Sequence, residues 1–191
     1  MKNYVFVLFF PLFSLLAHPA WGHGPHEHGV ARLNVALEGQ RLSIELDSPL
    51  ANLLSFEHAP RTDPQRNEVR AMAARLRRAE TLFVPSGAAA CHLASAALES
   101  ENLPGNLLDS AASSSARPDD AQAGDEKTNA AEHADLEGAF VFQCDKPEAL
   151  ARIDVRLFGA FPALREIEVQ FVVHGRQGAI ALTPKSSVLE W

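Results

Sequence analysis

Cysteine is scarce in this chain of 191 residues, which carries only Cys91 and Cys144. Neither stands near the amino terminus, so a lipid anchor on cysteine is not expected. Positive charge is short as well: 17 Lys and Arg face 24 Asp and Glu, for a formal net charge of −7. That deficit argues against nucleic acid and against anionic membrane surfaces as partners. It suits a soluble protein that handles cations. No long apolar run follows residue 22, so no membrane insertion is expected beyond that point. Catalytic signatures are missing too. There is no His-Glu-x-x-His helix, no Gly-x-Ser-x-Gly and no phosphate-cradling loop. A catalytic zinc needs three protein ligands, an open position and a general base, and the histidines here lie partly on a tail. An enzyme is not expected.

What the chain does have is concentrated at its start. His23-Gly-Pro-His-Glu-His-Gly29 packs three of the eight histidines into six residues. Neutral imidazole is the commonest protein ligand for zinc and copper. Imidazoles this close in sequence can close on one ion with little loop-closure cost. The plainer reading is a solvated arm that happens to be rich in histidine. Before the tract lies a sequence with the form of an export signal. Lys2 supplies the positive charge, Tyr4 to Leu16 is nearly all apolar, and Ala20-Trp21-Gly22 places small residues where a signal peptidase reads them. A retained anchor is the alternative, but the run is short for a span and is ended by His18 and Pro19. Cleavage after Gly22 would leave residues 23–191 as a single domain with the histidine tract at its free amino terminus. Without Lys2 that domain has 16 basic and 24 acidic side chains, a balance near −8.

In an oxidising compartment two cysteines read first as one disulfide. Cys91 and Cys144 each sit at the edge of a strand-like run. A bond between them would close a long polar segment and contribute roughly 4 kcal/mol in the chain-entropy account. The competing reading is a pair of thiolate ligands for a metal, although the spacing matches no zinc-finger pattern.

Along the chain, Val30–Leu37 and Arg41–Asp47 read as a hairpin turned at Gly39-Gln40. Asp63 is placed to cap a helix with Pro64 in its first turn. Val69, Met72, Ala73 and Leu76 give that helix one core-facing stripe, and the arginines around it read as a solvated face. From about 102 to 132 Gly, Ser, Pro, Ala and acidic residues dominate without apolar period, which reads as a flexible polar insertion. Strand-like runs follow at 151–158, 164–173 and 178–183, the last two joined by a turn over Gly175–Gly178. The expected class is α+β: mainly antiparallel β, sandwich-like, with one core-facing helix and a flexible insertion.

Several stretches carry a resemblance. His26-Glu-His-Gly-Val-Ala-Arg-Leu-Asn-Val-Ala-Leu37, Asp47-Ser-Pro-Leu-Ala-Asn-Leu53, Phe56-Glu-His-Ala-Pro60, Leu157-Phe-Gly-Ala-Phe-Pro162 and Gln177–Pro184 resemble, in order, the ZrgA-type family of periplasmic zinc-uptake proteins. The resemblance implies a periplasmic protein that binds zinc ion and assists its uptake through an ABC-type transporter component. Such proteins carry a dense histidine run in the insertion; this chain departs from that pattern, with His133 the only histidine left there. The candidate zinc ligands are therefore His23, His26, His28, His58 and His133. Glu57 is a candidate to orient a ligand imidazole, and His58 could instead bond its own turn. His92 is expected as a packed strand residue, and His174 at a hairpin end in contact with solvent. Two rivals stay open. A mature amino-terminal His23 could chelate copper through amine and imidazole, making a periplasmic copper-binding or chaperone protein. Alternatively the tract is incidental to a structural or adhesion module.

Overall fold

The computed structural model of the chain describes residues 27–109 and 134–191. Nine strands run through them: β1 (Val30–Glu38), β2 (Arg41–Pro49), β3 (Phe83–Pro85), β4 (Cys91–Glu99), β5 (Asp135–Cys144), β6 (Arg152–Val155), β7 (Glu166–Val173), β8 (Arg176–Leu182) and β9 (Val188–Glu190). Three α-helical segments accompany them: α1 (Asp63–Leu76), α2 (Gly105–Leu108) and α3 (Leu157–Ala160). Six strands form one sheet in the order β4-β5-β2-β1-β7-β8, and β3-β6-β9 form a second. Every pairing is antiparallel except β1 with β7. The class is α+β and sandwich-like, as expected. The parallel pairing of β1 with β7 was not foreseen, because periodicity marks a strand without revealing its neighbour.

Alternation explains why the large sheet has one dry face. Ala31, Leu33 and Val35 of β1, Leu42, Ile44 and Leu46 of β2, and Ile167 and Val169 of β7 are all buried on the same side. Each large apolar side chain buried this way contributes roughly 1.5–3 kcal/mol. Phe140 of β5 meets Phe83 of β3 with ring centroids 5.2 Å apart, so the core joins the two sheets. Val69, Met72, Ala73 and Leu76 of α1 enter the same cluster, as the helical spacing predicted.

Local differences have local causes. The cap of α1 is Thr62 rather than Asp63. Its hydroxyl accepts from Gln65 N while the Gln65 side chain accepts from Thr62 N, a reciprocal capping box with Pro64 still in the first turn. The run 151–158 ends as a strand at Val155, and Leu157–Ala160 makes a helical turn instead. The β7–β8 turn falls on His174-Gly175, earlier than Gly175–Gly178, with both residues at positive φ (52° and 72°). The stretch from 102 to 108, expected to open the flexible insertion, is packed: Leu103, Leu107 and Leu108 are buried, and Arg77 Nε donates to Leu108 O at 2.8 Å. Residues 110–132 of that expected insertion lie outside the described residues.

Cys91 and Cys144 face each other across β4 and β5 and are joined by a disulfide. No helix among the described residues is long and apolar enough to cross a membrane.

Candidate metal site

The histidine tract runs into β1 through a tight corner. Val30 N donates to Glu27 O at 3.0 Å, closing a turn, and Gly29 takes φ +89°. A side chain at Gly29 would be strained by that φ, and its Cβ would come within 2.2 Å of Arg165 Nε. Glycine is required there. The corner is then held from both flanks. Arg165 N and Glu166 N both donate to Gly29 O, at 2.8 and 3.0 Å, and the Arg165 guanidinium donates to His28 O.

Asn52 holds it from below. The residue is 2% exposed, and its Oδ1 accepts from Gly29 N at 2.6 Å. Its Nδ2 donates to Val30 O at 2.8 Å and to the buried Ser48 Oγ at 3.2 Å. An amide buried among leucines is tolerated only when its polar atoms are paired. Asn52 pairs its carbonyl and amide with the backbone of the corner.

From this corner His28 reaches the Phe56–Pro60 loop. His28 Nε2 and Glu57 Oε1 are 2.7 Å apart, with side chains 60% and 38% exposed. A carboxylate can only accept, so the proton of this contact sits on Nε2. A neutral ring then carries its lone pair on Nδ1. Glu57 was expected to orient a ligand imidazole; the ring it meets is His28 and not its neighbour His58. The loop itself is fastened to α1, where Ser55 N and Oγ donate to the Glu68 carboxylate at 2.7 and 2.9 Å.

His58 is exposed and bonds its own turn, Nδ1 donating to Ala59 O at 2.9 Å. Its ring stacks on Phe56 at 5.2 Å between centroids. With the proton on Nδ1, the Nε2 lone pair of the neutral ring faces outward from that bond. The two described candidates thus engage Glu57 and Ala59 through opposite ring nitrogens, Nε2 of His28 and Nδ1 of His58. His23, His26 and His133 lie outside the described residues. Among the described residues no group of three or more His, Cys, Asp and Glu side chains is placed to hold a metal ion.

The remaining histidines depart from expectation. His92 is exposed rather than packed, because its side of β4 is the open face of the sheet. His174 contacts more than solvent: its Nε2 and Leu150 O are 3.0 Å apart, and its ring lies 6.4 Å from that of Trp191. Asn52 and Arg165 were not picked out from the sequence. The one signal for Asn52 was an amide inside Leu50-Ala-Asn-Leu-Leu54; nothing local marked Arg165, whose contact spans 137 residues.

No curated protein matches the chain. The model of one family, described as ZrgA family zinc uptake protein, matches residues 25–191. That match takes in the histidine tract from Pro25 onward, the corner, the loop and both sheets, and the chain belongs to the ZrgA family of zinc uptake proteins.

Proposed function

We propose that this protein is a periplasmic zinc carrier, exported by a signal peptide over residues 1–22, that captures zinc and passes it to an ABC-type uptake system. The mature domain would span residues 23–191. The observation that carries the reading is the His28–Glu57 contact, which ties the histidine tract to the Phe56–Pro60 loop and sets the ring tautomer. Zinc sites need about four ligands, with one position often left open. His28 and His58 supply two from the described part of the chain. His23 and His26 precede His28 in the same tract, and His133 is the candidate on the insertion side. The described ligand candidate His28 has a side chain 60% exposed, which favours release to a second protein over permanent retention. The acidic balance of the chain favours cation approach.

Titration calorimetry tests the reading. About one specific zinc per chain is expected, since His133 is the only histidine between the two cysteine strands apart from His92 on β4 itself. Replacing His26 and His28 together by alanine should weaken zinc binding at least tenfold, about 1.4 kcal/mol. Unchanged affinity in that variant would remove the tract from the site. Tighter binding of copper than expected from its general preference for nitrogen ligands, with no specific zinc, would return the copper reading.

A further inference from the structure

The two edges of the six-stranded sheet are finished differently. β4 is guarded: its ladder is broken by a register shift between Leu93 and Ser95, and Arg77 Nη1 donates to Ala96 O at 3.1 Å. These are the usual devices by which a sheet edge is kept from pairing with another chain. β8 has none of them. From Arg176 to Leu182 it contains no proline, no lysine, no acidic residue and no shift in its register with β7. All its residues but Leu182 are exposed, and Ile180 is 41% exposed. Val188 of β9, the edge strand of the smaller sheet, is 38% exposed as well.

The turn tells which backbone groups of β8 face away from β7 and have no strand partner among the described residues. His174 and Gly175 both have positive φ in a two-residue loop, the type I′ geometry that closes on a hydrogen-bonded pair, here Val173 with Arg176. Hydrogen-bonded and non-hydrogen-bonded positions then alternate along the ladder. The N–H and C=O of Arg176, Gly178, Ile180 and Leu182 point at β7. Those of Gln177, Ala179 and Ala181 point outward.

We propose that β8 pairs with β8 of a second copy of this chain, antiparallel across a two-fold axis at Ala179. In this register Ala179 meets Ala179 of the second copy, Gln177 meets Ala181, and Gly178 meets Ile180. The twelve outward N–H and C=O groups of the two strands then make about six hydrogen bonds. The side chains agree with the backbone. Phe171 lies over Gly178, within 2.7 Å of where a Cβ would stand, so the space above that glycine is filled by an aromatic ring. Ile180 of the second copy descends beside that ring and is covered. Charge selects the same surface: two copies of an acidic chain repel, and β8 is a strand on which no acidic side chain meets another. An isologous pair also uses one patch twice, as a two-fold contact requires. One strand edge buries less than a standard interface, so the self-association is expected to be weak and concentration-dependent.

Sedimentation of the purified protein up to about 500 μM tests this. A monomer–dimer equilibrium is expected, and a monomer throughout overturns the proposal. Ala179→Pro removes an outward N–H without touching the ladder to β7, and Ile180→Lys puts charge on the contact. Each should give a monomer with a cooperative unfolding transition; if either folded variant stays dimeric, the pairing is wrong. Should Ala179→Pro not fold, Ile180→Lys decides alone. The register has its own readout. Oxidised Ala179→Cys should form a covalent dimer, because the two cysteines face each other, whereas Ala181→Cys faces Gln177 and should not. Equal cross-linking of both, or of neither, overturns the two-fold at Ala179. Capture of an added extended peptide by a monomeric wild-type chain would do the same.

Discussion

The β1–β2 hairpin has two ends, and they are secured in different ways. At its turn, Gln40 O accepts from Cys144 N at 2.8 Å, beside the disulfide that joins Cys144 to Cys91. At its open end, the chain enters through Gly29 and is held by Asn52, Arg165 and the backbone of β7. A covalent bond constrains the unfolded chain and does little to shape local surface. Hydrogen bonds to a buried amide act in the folded state alone, and they set where a side chain beside them points. The contrast locates the two tasks. The disulfide end supplies stability, and the polar end supplies geometry for His28.

The largest effect should come from breaking the covalent end. Replacing Cys91 and Cys144 together by serine removes a link across 53 residues, and should cost about 4 kcal/mol of stability in denaturant unfolding. Zinc affinity of the protein that remains folded should change less than twofold. A large loss of affinity would mean that the two ends are coupled and the division is wrong.

Asn52→Ala attacks the polar end from within. It strips partners from Gly29 N, Val30 O and Ser48 Oγ. A cost of about 2–3 kcal/mol is expected from the buried groups left unpaired. Here zinc affinity should fall as well, several-fold, because the corner that aims His28 loosens. Thermal unfolding and calorimetry on the same sample would separate the two losses.

His28→Ala sharpens the comparison further. The side chain is 60% exposed and its contact with Glu57 is a surface one, so stability should change by less than about 0.5 kcal/mol. Zinc affinity should nonetheless drop by several-fold. A variant that loses stability and keeps affinity would make His28 a structural residue.

The smallest effect is expected from deleting residues 110–131. The deletion spares Leu107 and Leu108, which are buried against the core, and spares His133. Zinc affinity should stay within a few-fold, since isolated Asp and Glu are poor zinc ligands beside imidazole and no histidine is removed. Abolished binding would move the site from the hairpin's open end to the insertion.

Much of this molecule was legible in one dimension. Alternation in Arg41–Asp47 and the i, i+3, i+4, i+7 spacing of Val69–Leu76 each report which side of an element is dry, and both elements formed as read. An even pair of cysteines flanking strand-like runs was enough to predict the bond that joins them. The misreadings fell where neighbours in space override local pattern. Leu103, Leu107 and Leu108 stand among turn-forming residues, and it is packing against α1, β4 and Arg77 that makes that stretch part of the core. The site divides along the same line. The candidate imidazoles could be named from the sequence because ligand chemistry belongs to the residue type. That Glu57 meets His28 across 29 residues, or that Arg165 meets it across 137, could not be read there. Such contacts exist because β7 lies parallel to β1 and because the chain after β2 turns back beneath Gly29. Residue type sets what a side chain can bind; the packing of distant strands decides which side chains stand together to bind it.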